Sequence, residues 1–232
     1  MIRRGLPHAA TALAALFLLA APAHADAILD RLRAEAARAE VAGFERTTRE
    51  QKQTAKGPVT EVRIDRFDPK APAGRQWTLV SVNGRAPTLR EQGDHRKLVS
   101  SLPVPGFYRL SAILAGEPTR SVDAQGRILY RWDSLPPGSM PTPGPDISTR
   151  MAAEAVVEKV GSRPVMRSVR LFAPKPFPVM AVAKVKAFDL QNYYADGAEG
   201  VPVLVSQSGL SDISAPFGQG GRQTSQTQFR PL

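Results

Sequence analysis

The apolar positions of this chain change period twice. From Ala9 to Ala23 they form a nearly continuous run without charge. From Asp26 to Ala42 they recur every three or four residues, at Ile28, Leu29, Leu32, Ala36 and Ala39, which predicts an amphipathic helix with Arg31, Glu35 and Arg38 largely on its other side. Asp26 can cap that helix and Gly43 can end it. Beyond Phe44 most of the pattern is alternation, the signature of half-buried strands.

The predicted strands are Phe44–Arg49, Val59–Phe67, Gln76–Val82, Arg127–Trp132, Val165–Phe172, Phe177–Asp189, Val201–Gln207 and Arg222–Phe229. Thr149–Lys159 is open between helix and strand, and Leu110–Leu114 has no firm assignment. Gln51–Pro58 is polar and turn-rich. Asn83-Gly84 is a tight-turn dipeptide. Thr88 with Glu91 three residues on has capping-box spacing and opens a second helix to about Ser100. Pro103 and Pro105 prevent its continuation. Phe177 to Phe188 is apolar on both faces in its first half, as a strand covered on both sides would be.

Eight or nine candidate strands with helices near the start predict an α+β fold. The expected form is a single curved antiparallel β-sheet, a half-barrel, with helices against its concave face; a sandwich or closed barrel is the alternative. The Pro/Gly-rich segment 133–146 can be neither helix nor central strand, and is expected to be a mobile excursion.

The N-terminal run gains meaning from its flanks. Arg3 and Arg4 precede it, and Ala23-His24-Ala25 is a small-x-small cleavage site followed by Asp26. Residues 1–25 therefore read as a secretory signal peptide, too short for a membrane span, and 26–232 as one exported domain. Cysteine is absent from the sequence. No lipid anchor can follow the signal, and the fold must hold without disulfides. The full chain carries +10, and loss of Arg3 and Arg4 leaves +8. These charges are scattered rather than blocked, so nucleic acid is not an expected partner.

Candidate chemistry is sparse. His95, the one histidine behind the signal, sits among Asp94, Arg96 and Lys97 and reads as an exposed polar residue rather than a general base. One histidine without cysteine does not make a zinc site, and no cofactor or metal is expected. Ser206-Gln207-Ser208-Gly209 is half of a Gly-x-Ser-x-Gly elbow with no helix pattern behind it. Gly218-Gln219-Gly220-Gly221 lacks phosphate-loop spacing and reads as a turn. Asp65 and Asp68 are a carboxylate pair of the sort any acid-rich chain offers. The remaining candidates are apolar. Trp77, Phe172, Phe177, Met180, Val182 and Phe188 could line a cavity for a lipid, with Met140, Met151 and Met166 as pliable fillers.

Phe67-Asp68-Pro69, the segment Arg75 to Thr88, Pro174-Lys175-Pro176-Phe177 and Phe217-Gly218-Gln219 resemble a family of exported proteins of Gram-negative bacteria whose motifs carry no assigned chemistry. More distantly, the layout is similar to the lipoprotein-carrier (LolA/LolB-like) fold. That resemblance implies a curved sheet enclosing helices over an apolar cavity, and transfers no site residues. Together these readings lead to a non-enzymatic, monomeric periplasmic binding or carrier protein for an acyl chain, lipid or lipoprotein. The alternative is an envelope protein that meets a protein partner through its sheet rim or the 133–146 loop.

Overall fold

One antiparallel sheet takes up most of the chain. The computed structural model describes residues 26–54, 56–140, 144–180, 183–197, 200–215 and 220–232. The expected signal segment 1–25 lies outside them, as does Val182. Eleven strands are present: β1 (Phe44–Thr54), β2 (Gly57–Phe67), β3 (Trp77–Val82), β4 (Thr119–Val122), β5 (Ile128–Trp132), β6 (Ala152–Val160), β7 (Arg163–Phe172), β8 (Phe177–Met180), β9 (Ala183–Asp196), β10 (Pro202–Ser214) and β11 (Gly221–Pro231). They run in the order β3-β2-β1-β11-β10-β9-β7-β6-β5-β4, with β8 paired to β9 beside that path. The sheet does not close, and β3 and β4 are its edges. The fold is thus α+β as expected, with a larger sheet than the eight or nine strands predicted.

The additional strands have physical causes. β1 and β2 extend through most of the polar 51–58 stretch because their ladder continues in register from Phe44↔Phe67 to Thr54↔Gly57. Polar side chains are compatible with strand where both faces are incompletely covered. The ambiguous segment 149–159 is strand β6. The apolar run 177–189 is not one strand: it turns back on itself, with Phe177 opposite Val185 and Pro178 opposite Lys184. Its apolarity on two faces belongs to two strands lying side by side.

Among the described residues three α-helices accompany the sheet: α1 (Ala27–Arg38), α2 (Leu89–Ser101) and the single turn α3 (Ser111–Leu114), which a 3-10 turn at Phe107–Leu110 precedes. Asp26 caps α1, its Oδ1 accepting from the Ile28 and Leu29 amides at 3.1 and 3.2 Å. Its Oδ2 accepts from the Tyr130 hydroxyl at 2.8 Å and faces Arg120 at 3.4 Å. Leu29, Leu32 and Ala36 are buried, and Ile28 and Ala39 pack at the border. Glu35 departs from expectation: it is buried with them, and Arg31 Nε holds Oε1 at 2.9 Å. Helix α1 ends four residues early because Ala39 is already extended.

The core lies between these helical segments and strands β5, β6, β7 and β9. Phe107, Leu110, Ile113 and Leu114 meet Ile128, Tyr130, Trp132, Val157, Met166 and Val169, all buried. Ala153 and Ala155 on β6 contribute small side chains to the same cluster. Arg33 ties α1 to the end of α3 through the Leu114 and Gly116 carbonyls at 2.7 and 3.1 Å.

The described parts of the 133–146 loop are fastened, unlike the expected mobile excursion. Leu135 is buried, and its amide bonds the Met151 carbonyl at 3.0 Å. Asp146 accepts from the Gly138 amide at 2.8 Å, and the Met140 amide reaches Ser148 Oγ at 3.0 Å. Residues 141–143 lie outside the described residues.

Candidate functional site

Helix α2 is amphipathic in a way its charged sequence obscures. His95, Leu98 and Val99 share one helix face at positions i, i+3 and i+4, and Leu102 follows as the extended C-cap. Of these, His95 packs on the β1–β3 end of the sheet at only 4% exposed, whereas Leu98 and Leu102 stay exposed. The expectation of an exposed histidine on a charged face is therefore corrected. The charged neighbours Asp94, Arg96 and Lys97 point elsewhere because adjacent helix positions are turned by about 100°.

His95 meets a buried ion pair. Arg46 on β1 and Asp65 on β2 are direct cross-strand partners. Arg46 Nε and Nη2 grip Oδ1 and Oδ2 of Asp65 at 2.6 and 3.1 Å. His95 Nε2 donates to Oδ2 at 3.1 Å. Burial pushes the Asp65 carboxyl up, but hydrogen bonds from His95 and Arg46, with the positive charge of Arg46, prevail and hold it below the ordinary carboxylate range. The buried face of β2 is consequently that of Asp65 and Phe67, not that of Val62 and Ile64. Trp77 closes the cluster, with the Arg46 guanidinium 4.5 Å over its ring and the His95 ring edge-on at 6.2 Å. Phe44, Phe67 and Phe229 continue the aromatic packing at centroid distances of 5.0 to 5.7 Å.

Such a carboxylate–imidazole pair serves nucleophilic catalysis when the imidazole also holds a hydroxyl or thiol. Among the described residues, Asp65 is the one side chain hydrogen-bonded to His95. Here the cluster clamps α2 onto the sheet. Asp68, the other member of the carboxylate pair, caps its own turn through the Lys70 amide at 2.9 Å. Ser206 and Ser208 lie inside β10 rather than on a strand-to-helix turn.

Beside this clamp lies a partly open cavity of about 300 Å³. Leu98 and Val99 of α2, its C-cap Leu102, Pro103 and Pro105, and Leu110 and Ile113 line one side. Leu171, Leu190 and Leu204 of the sheet wall the other. Trp77 and Arg46 border it at the clamp end. Its remaining polar border is Arg109, Asn192, Tyr194, Gln207 and Ser139. Asn192 and Gln207 satisfy each other, Gln207 Nε2 donating to Asn192 Oδ1 at 2.7 Å. A smaller apolar space of about 130 Å³ lies on the other side of Pro105-Gly106, between Phe44, Phe107, Val201 and Phe229. Tyr108 steadies the dividing segment by donating to the Val104 carbonyl at 2.6 Å.

The residues singled out from sequence are dispersed. Trp77 borders the cavity. Phe177 is buried in the core, and Phe188 packs against that core. Phe172 lies under the guanidinium groups of Arg131 and Arg170, at 5.6 and 4.6 Å. Met180 belongs to β8. Alternation in β9 and β10 does not distinguish cavity-lining Leu190 and Leu204 from their neighbours, so sequence reading missed them; the His95–Leu102 helix stripe was a usable signal.

No family model, curated protein or solved structure matches this chain. No helix among the described residues is long and apolar enough to cross a membrane.

Proposed function

We propose that this chain is a non-enzymatic binding or carrier protein of the bacterial periplasm, exported by residues 1–25, that holds an acyl chain or similar apolar ligand. In this reading the sheet curves as a half-barrel around the space beneath α2. The observation that carries it is the cavity of about 300 Å³ whose walls are mainly Leu, Val, Ile and Pro side chains from α2, the 103–113 segment and the sheet. A concave, mostly apolar space with a few polar groups is the common form of a small-ligand site, and this volume is at the lower end of that range. It suits one chain rather than a multi-chain lipid. The aromatic-lined space beyond Pro105-Gly106 offers such a chain further room.

Native mass spectrometry and organic extraction of protein purified from the periplasm test this reading. The expected result is a co-purifying acyl compound that Leu204→Trp, by filling the cavity, displaces. Protein that carries no such compound and binds no alkyl probe would refute it.

A further inference from the structure

The polar groups on the cavity wall differ in whether their hydrogen-bonding capacity is already used. Arg46 is taken by Asp65 at 2.6 Å. Asn192 is engaged by Gln207 and the Val169 carbonyl. Arg109 and Tyr194 are different. Among the described residues no carboxylate or carbonyl pairs with the Arg109 guanidinium, although most arginines of this chain are ion-paired. The Tyr194 side chain is buried, with 6% of the residue exposed, and its hydroxyl has no hydrogen-bond partner among the described residues. Burial pushes its phenol up, so it stays a neutral O–H donor. Both residues line the same cavity. Phe107, in the same 3-10 turn as Arg109, packs edge-on against the Tyr194 ring at 5.5 Å and so brings that turn to Tyr194.

A donor and a cation that face a mainly apolar cavity are stabilised by an acceptor that enters it. A phenol donor on the cavity wall and a half-buried guanidinium, neither paired to a protein acceptor among the described residues, favour an anionic acceptor placed in that cavity. Resting on the proposed function, we infer that the ligand is a single-chain amphiphile with an anionic head, a carboxylate or phosphate ester, held by Arg109 and Tyr194 while its alkyl chain lies against Leu98, Leu102, Leu190 and Leu204.

Calorimetric titration of delipidated chain 26–232 with decanoate, decyl phosphate and decanol tests this. The anionic probes should bind at least about tenfold more tightly than decanol, the range expected of hydrogen bonds to a charged group. The tighter of the two identifies the head. Arg109→Gln and Tyr194→Phe should each weaken the anionic probes more than decanol and so reduce the preference, and Arg109→Lys should restore part of it. Far-UV circular dichroism and an unchanged urea midpoint show that the variants are folded. Equal affinity for decanol and both anions in the parent protein would overturn the anionic-head inference but leave the apolar-ligand reading standing. Absence of binding by all three would overturn both.

Discussion

Replacing Asp65 by Asn removes one charge from the clamp without changing its shape. Asp65 is 3% exposed and accepts three hydrogen bonds, two from Arg46 and one from His95. Removing one partner of a buried ion pair costs about 3–5 kcal/mol, because the other charge remains without compensation. The Arg46 side chain keeps 20% of its exposure and so part of its hydration. The expected loss is therefore at the lower end, about 3 kcal/mol. For a domain of this size that lowers Tm by about 6–12 °C. Urea unfolding at pH 7 followed by far-UV circular dichroism measures it, with an unchanged denaturant slope. Combining Asp65→Asn with His95→Gln should cost less than the sum of the two, because both changes act on one network. The pH dependence has a defined sign. Asp65 titrates lower in the folded chain than in the unfolded one. Its stabilisation is thus complete above about pH 4, the unfolded value, and is lost as pH falls through the folded value. Asp65→Asn should flatten that acid limb. A loss below about 1 kcal/mol would refute the clamp, since it would equal that of an exposed pair.

Other outcomes follow from the same contacts. Glu91 is held down to about 2 by its hydrogen bonds to Arg85 and the Thr88 amide, so its contribution is present above the ordinary glutamate range and disappears only as pH falls through about 2, which carboxyl-detected NMR titration checks. Thr88→Ala deletes the side chain that accepts from the Glu91 amide at 3.2 Å and should cost about 1 kcal/mol in chemical denaturation. Leu32→Ala, at a fully buried position in the α1 core, should cost about 2–5 kcal/mol in the same assay.

Local chemistry made much of this fold legible. The Asp26 and Thr88 caps and the Asn83-Gly84 turn are short-range features that sequence states directly, and Asn83 and Gly84 both adopt positive φ, 50° and 78°. The hairpin at 177–196 was obscured because an apolar run has no period to reveal where it folds back. β4 was obscured because all four of its residues are exposed. The candidate site was the least legible part. Arg46, Asp65 and His95 are far apart in sequence and polar, and only the β1–β2 register and the α2 face bring them together. Charged residues read as surface by default, and three complementary ones can enter the interior only as a group.

Under the proposed export by residues 1–25, Asp26 would couple maturation to architecture. A cut behind Ala25 places the new α-ammonium on the residue whose carboxylate caps α1 and receives Tyr130 and Arg120. A cation at a helix start is unfavourable, and this carboxylate offsets it within the same residue. Trimming by one residue more would remove the cap and the acceptor for the Tyr130 hydroxyl in one step. If the chain is processed as proposed, a ragged start would show as a loosened first helix.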